Sequence, residues 1–146
     1  MIEIKPSQVT EEVLRSSDRM PLIVCADAPR VIRKVLDAGY EMISVNMHLA
    51  KALMDYPQEE RRLRAEEEFK AILAGKEAVF LENFEMLFDP RYQIDVIKCF
   101  CDRARHLKLA TKWPGICSGN DLTYAEPDAP DYYCCDCSKL QIRIVR

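Results

Sequence analysis

Pro21-Leu22-Ile23-Val24-Cys25-Ala26-Asp27-Ala28-Pro29-Arg30-Val31-Ile32 decides the fold. The run from Leu22 to Ala26 is apolar and partly β-branched, and its length fits a strand covered on both faces, as in a parallel sheet. Asp27-Ala28-Pro29 ends it. Pro29 suits the first turn of a helix, where a missing N–H costs nothing. Val31, Ile32, Val35 and Leu36 then give that helix one apolar face before Asp37-Ala38-Gly39 closes it.

Downstream the same rhythm repeats. Met42 to Asn46 reads as a second strand, followed by a helical stretch through Leu49, Leu53 and Met54 that stops near Tyr56-Pro57. Glu59 to Lys70 is dense in mixed charge, yet Leu63, Phe69, Ile72 and Leu73 supply an inner stripe, with Gly75 as a stop. Ala78 to Leu81 is a third strand running into Glu82, Asn83 and Glu85. Asp89-Pro90, a cap followed by a first-turn proline, predicts a helix carrying Ile94, Ile97, Phe100, Cys101 and Ala104. Leu107 to Trp113 is a fourth strand, and Leu140 to Val145 alternates like a last one. Upstream, Val9, Val13 and Leu14 predict an amphipathic helix over residues 7–17, so residues 1–20 form an N-terminal helical segment. Gly, Pro, Asp and Asn from Pro114 to Pro130 predict a long loop, with bounds at residues 116–133. Strands alternating with helices predict a single three-layer α/β domain over residues 1–146, with a mainly parallel sheet. Ligands of such sheets gather outside the carboxyl ends of the strands.

The length, 146 residues, is that of one domain, and 49% apolar with 31% charged residues places the chain among globular proteins. The formal charge of −3 excludes a general attraction to nucleic acid or anionic membrane and leaves room only for local patches. No apolar run approaches the roughly 18 residues that span a bilayer. Met1 to Pro6 lacks the layout of a secretory signal, so a cytoplasmic protein with no membrane partner is expected. The 7 cysteines, several too close in sequence to bridge each other, are expected to be reduced thiols.

A nucleotide-binding α/β protein places its phosphate loop at the first strand-turn-helix, where glycine amides and a helix N-terminus surround the phosphates. Cys25 to Ile32 holds no glycine, no Lys-Ser or Lys-Thr pair opens the helix, and Asp27 repels phosphate. Arg33 and Lys34 bring positive charge nearby but lie outside the phosphate-loop spacing, and charges solvated on a helix are the plainer reading. Val79 to Asn83 has the form of a second nucleotide motif, apolar strand residues and then a carboxylate able to hold Mg²⁺ through water. Against it stands the plainer reading that Glu82, Asn83 and Glu85 cap the strand end or face water.

Three blocks, Leu81-Glu82-Asn83-Phe84-Glu85-Met86-Leu87-Phe88-Asp89-Pro90, Trp113-Pro114-Gly115 and Leu122-Thr123-Tyr124-Ala125-Glu126-Pro127, span roughly the C-terminal half. In this order and spacing they resemble the BrxF family, small P-loop-containing proteins of type 3 BREX phage-defence systems. The resemblance implies a P-loop NTPase-like α/β fold, encoded with components that modify host DNA and block phage replication. It implies other BREX-type defence proteins as partners, and leaves open a homo-oligomer and DNA contact within the complex. The family's glycine-rich loop ends in Gly-Lys-Thr or Gly-Lys-Ser; here the matching stretch ends Arg30-Val31-Ile32, without the phosphate-binding lysine and the magnesium-binding hydroxyl. Glu82 matches the family's strand-end carboxylate and Asn83 the residue after it. The protein expected on these grounds is an accessory subunit without catalysis or cofactor, acting through protein–protein contacts. The alternative is an ATP- and Mg-binding protein whose phosphates are held by Arg30, Arg33 or Lys34, with Glu82 near the metal.

Three further groups carry chemistry. Cys134, Cys135 and Cys137, with Cys117 or the pair Cys99 and Cys101, form a thiolate cluster with zinc as its candidate metal, but C-C-x-C is cramped for a tetrahedral site. Arg103, Arg105, His106, Lys108 and Lys112 form the most basic stretch, a candidate for phosphate contact or simply an exposed helix end. Trp113, Tyr124, Tyr132 and Tyr133 sit in or beside the long loop, as anchors for a base or a protein partner. Neither His48 nor His106 has a visible catalytic partner.

Overall fold

A computed structural model describes residues 1–16 and 18–146. In chain order the elements are β1 (Ile2–Ile4), a 3₁₀ turn at Pro6–Gln8, α1 (Glu11–Arg15), β2 (Leu22–Val24), α2 (Pro29–Asp37), β3 (Glu41–Ser44), α3 (Val45–Leu53) and α4 (Gln58–Leu73). Next come β4 (Ala78–Glu82), 3₁₀ turns at Glu85–Phe88 and Pro90–Tyr92, α5 (Val96–Ala104), β5 (Lys108–Lys112), β6 (Ile116–Ser118), β7 (Asp121–Tyr124), β8 (Tyr133–Asp136) and β9 (Arg143–Val145). Six strands form a sheet in the order β1-β9-β2-β5-β4-β3, and every neighbouring pair in it is parallel.

Strand alternation divides the core into two layers around that sheet. Leu22, Val24, Phe80, Ala110 and Val145 pack against Val9, Leu14, Val31 and Val35, which belong to α1, α2 and the segment before them. Ile23, Ile43, Leu81, Leu109 and Ile144 face the other way, against Leu49 of α3, Phe69 of α4 and Phe100 of α5. The expected three-layer α/β architecture with a parallel sheet is therefore present. On the first face Tyr40 donates its hydroxyl hydrogen to the Leu14 carbonyl at 2.7 Å, tying α1 to the approach to β3.

Several local expectations give way. Residues 1–20 are not mainly helical: Ile2–Ile4 is an edge strand on β9, and the helix is confined to α1, capped by the Thr10 hydroxyl. Ser17, at the end of the expected helix, lies outside the described residues. The second strand stops at Ser44, two residues early, because the Asn46 N–H donates to the Asn83 carbonyl instead of to a strand. The helix expected from Asp89 starts at Asp95, whose carboxylate accepts the Lys98 N–H; Asp89-Pro90 begins only a 3₁₀ turn. The last strand does not alternate. Ile142 to Val145 are all buried, because β9 lies inside the sheet with both faces covered. Arg143 accordingly ends up beneath α1, its side chain 8% exposed, paired with Asp18 at 3.1 Å and donating to the Val13 and Met20 carbonyls.

The largest difference concerns residues 116–133. They are not one loop but supply β6 and β7, which with β8 form a three-stranded antiparallel sheet. Gly119-Asn120 is a two-residue hairpin turn with Gly119 at φ 58, the left-handed conformation that glycine takes without strain. Only the stretch between Tyr124 and Tyr133 remains irregular.

Candidate functional site

The chain leaves β2 toward one edge of the sheet, returns through β4 and β5, and adds β9 on the other side of β2. That is a topological switch point, and a cleft of about 450 Å³ opens there at the carboxyl ends of β2, β4 and β5. Cys25, Asp27, Glu82, Asn83, Lys112 and Trp113 line it. The sheet register explains the grouping: Ser44 pairs with Glu82 and Val24 with Lys112, so these residues share the last row before the strands end.

Asn83 stands at φ 48, a left-handed conformation that asparagine tolerates better than most residues. This turn aims its carbonyl at the Asn46 N–H (2.7 Å) and lets its side-chain amide donate to the Ser44 hydroxyl at 3.2 Å. The Asn46 side chain in turn donates to Glu85 (2.9 Å) and accepts the Met86 N–H (3.0 Å). Asn46 thus ties the start of α3 to the turn after β4. Its position as the final residue of the expected strand was the only signal, and nothing in the sequence pointed to its partners. Below, Thr111 donates its buried hydroxyl hydrogen to the Leu81 carbonyl at 2.8 Å.

The wall beyond Trp113 is aromatic. Phe88 stacks on Tyr124 with ring centres 4.0 Å apart, and meets Trp113 edge-on at 5.6 Å. The indole N–H of Trp113 donates to the Thr123 carbonyl at 2.8 Å. Tyr133 donates to Asp95 at 2.6 Å and accepts the Ile97 N–H, so burial and the facing carboxylate hold its phenol above the ordinary range. Trp113, Tyr124 and Tyr133 are therefore packed into the fold, and Tyr132 alone of the four loop aromatics is a large exposed side chain.

The turn between β2 and α2 has only four residues, Cys25 to Ala28, and none of them has a positive φ. The N–H groups of Cys25 and Ala26 both donate to the Val145 carbonyl, at 2.8 and 3.1 Å. Pro29, at the first helical position, has no N–H, and the Val31 N–H returns to the Ala28 carbonyl at 3.0 Å. Of the backbone donors around this turn, those of Cys25, Ala26 and Val31 are thus committed to the fold, and Pro29 has none to offer. Asp27, its side chain 96% exposed, stands at the mouth with Lys112 at 3.8 Å. Glu82 and Asn83 line the cleft as the sequence predicts. Arg30, Arg33 and Lys34 do not; they are exposed along α2, Lys34 about 6 Å further down the helix axis than Arg30.

The basic stretch does not form a single patch. Lys108 and Lys112 occupy opposite ends of β5, about 13 Å apart at strand spacing. Arg103 and Arg105 stay with Lys108 at the amino edge of the sheet, whereas Lys112 belongs to the carboxyl-edge cleft.

Alternation along β8 likewise divides the cysteines. Cys134 faces outward, while Cys135 turns inward toward Cys137, with sulfurs 3.9 Å apart. All 7 cysteines are unbridged, and among the described residues no three His, Cys, Asp or Glu side chains are grouped to hold a metal ion. Burial pushes the Cys101 thiol up to about 11 and the Cys99 thiol up to about 12, and raises Cys25 and Cys137 as well. An unfolded thiol ionises near 9.0, so the contribution of these buried thiols is complete below that pH. It is lost as pH rises from about 9 toward the folded-state values. The melting temperature should therefore fall more steeply between pH 9 and 11 than between pH 7 and 9, and iodoacetamide at pH 8 should label Cys134 first. Equal labelling of Cys134 and Cys137 would contradict this arrangement.

No family model, curated protein or solved structure matches the chain. Among the described residues no helix is long and apolar enough to cross a membrane.

Proposed function

We propose that this chain is an accessory subunit of a bacterial BREX-type phage-defence assembly, built on a P-loop NTPase-like domain whose nucleotide site has degenerated, and acting through contacts with other defence proteins. The observation that carries the loss of nucleotide binding is the β2–α2 turn: its first two N–H groups bond to Val145, and Pro29 removes the first helical donor. A P-loop-like reading asks the strand before the first turn and the strand ending in a carboxylate to deliver their ends to one cleft, as β2 and β4 do here. The blocks that carry the BrxF resemblance also converge: Phe84 and Phe88 of the first, Trp113 of the second and Tyr124 of the third belong to one aromatic cluster. Residues far apart in sequence are thus held together beside the carboxyl-edge cleft, which supports a shared architecture.

Calorimetric titration of Mg·ATP into the purified protein tests the reading. The expected result is no heat of binding up to millimolar ATP. Saturation at micromolar concentrations, abolished by Glu82→Gln, would overturn it in favour of an ATP-binding protein with a divergent loop.

A further inference from the structure

At the opposite, amino edge of the sheet lies a cleft of about 920 Å³, larger than the carboxyl-edge one. Three segments remote in sequence bring cations to it. Arg19 comes from the approach to β2, Lys98 from the first turn of α5, Arg105 and His106 from beyond its end, and Lys139 from the connection between β8 and β9. Among the described residues Arg19, Lys98, Arg105 and Lys139 have no carboxylate partner. Of the two acids on the lining, Asp18 is committed to Arg143 at 3.1 Å, so Asp102 is the only carboxylate left facing the four cations. In a chain of net charge −3 this is a concentration of positive charge against the average.

Two observations independent of charge mark the same edge. Arg19 is held at φ 57, a left-handed conformation that an ordinary side chain adopts only under constraint, and such outliers gather at binding sites. An adjoining cleft of about 230 Å³ shares Arg19, Arg105 and His106 and is also lined by Arg143, whose deeply buried Nε has no hydrogen-bond acceptor. Neither cleft is lined by phenylalanine, tyrosine or tryptophan, so neither offers a surface for stacking bases.

We infer that the amino-edge cleft, through Arg19, Lys98, Arg105 and Lys139, binds the phosphodiester backbone of duplex nucleic acid without reading its sequence. A backbone supplies phosphates at regular spacing to cations spread over several segments, which a single small anion does not. The inference is separate from the loss of ATP binding at the other end of the sheet, and either can fail alone.

Fluorescence anisotropy with a short DNA duplex of arbitrary sequence tests it on the whole chain. Four phosphate contacts predict binding that weakens about 100-fold between about 50 and 200 mM salt. Arg105→Gln combined with Lys139→Gln, both exposed, should lower the salt slope by about 2. Arg33→Gln combined with Lys34→Gln, on the remote helix α2, should leave affinity and slope unchanged. Absence of binding at low salt, an unaltered slope in the Arg105 and Lys139 variant, or an equal loss in the α2 variant would each overturn the assignment. A single-stranded oligonucleotide bound more tightly than the duplex would do the same.

Discussion

Phe84→Ala lowers the unfolding free energy by about 3–5 kcal/mol, the cost of removing a fully enclosed aromatic ring and leaving a cavity. Phe84 is 2% exposed and sits at the junction of the α5 layer and the antiparallel sheet, with Phe100 edge-on at 5.2 Å, Phe88 at 6.1 Å and Trp113 at 6.3 Å. Each neighbour is itself anchored, so the site has little freedom to collapse. For a domain of this length the loss corresponds to roughly 10–15 °C in Tm. Trp113, the only tryptophan, reports it directly in a thermal melt followed by fluorescence. A matched Leu63→Ala, at a position expected in the inner stripe but left 72% exposed by α4, which buries Ala65, Phe69 and Leu73 instead, should stay within about 0.5 kcal/mol of the parent. A loss below about 1 kcal/mol for Phe84→Ala would mean the aromatic cluster is not packed as described.

The second large effect comes from adding one methyl group. A Cβ at Gly115 would stand 1.8 Å from the Thr123 carbonyl oxygen and 2.8 Å from its carbon. That oxygen already accepts the Trp113 indole N–H, so it cannot retreat without giving up a bond of 2.8 Å. Gly115 is not in the left-handed region; what it needs is the absence of a side chain where the strand end passes β7. Gly115→Ala should cost about 2–3 kcal/mol and shift the Trp113 emission to the red as the indole is freed toward water. An unchanged emission with unchanged stability would show that the β6–β7 hairpin moves aside freely. Because Trp113 and Gly115 also border the carboxyl-edge cleft, the variant should disturb any partner docked there.

The strands that run through the middle of the sheet were legible because they are covered on both faces. Ile23, Val79 to Leu81 and Leu109 need no alternation, and short apolar runs mark them plainly. β9 misleads for the same reason: Gln141 and Arg143 look like outward-facing residues, yet Arg143 is buried because Asp18 and two carbonyls engage its two terminal nitrogens, leaving only Nε without an acceptor. The helix starts at Asp95 rather than Asp89 although both aspartates accept a backbone N–H, because a cap signature does not distinguish an α-helix from a single 3₁₀ turn. β6 and β7 were hidden by their polar composition. Their pairing rests on a glycine turn and on Leu122 reaching the core, a tertiary contact that local pattern does not record.

The candidate site was legible to the same degree. Glu82 and Asn83 stand where a strand-end carboxylate pattern puts them, since the pattern and the position arise from one strand. Asn46, which organises the turn after β4, contributes through contacts 39 and 40 residues away and left no mark in spacing. The basic edge had the same difficulty. Arg19, Lys98 and Lys139 join Arg105 only after folding, while Lys112, its neighbour in sequence, is carried to the far end of β5.

The place of β9 in the sheet governs the order in which this chain becomes a protein. β1 and β2 never pair; each bonds to β9, in the registers Ile2 with Arg143 and Leu22 with Arg143. A nascent chain emerging from the ribosome can assemble α2, the α3–α4 hairpin and the ladder of β2, β5, β4 and β3 from what has been made. Ile2–Ile4, however, has no strand to join until residues 143–145 arrive. Closing a contact across nearly the whole chain is entropically slow, so completion of the sheet is a late step, and the committed Val145 carbonyl that locks the β2–α2 turn comes with it. Ile2–Ile4 is therefore held in place by Arg143–Val145, a strand synthesised after every other strand of the sheet.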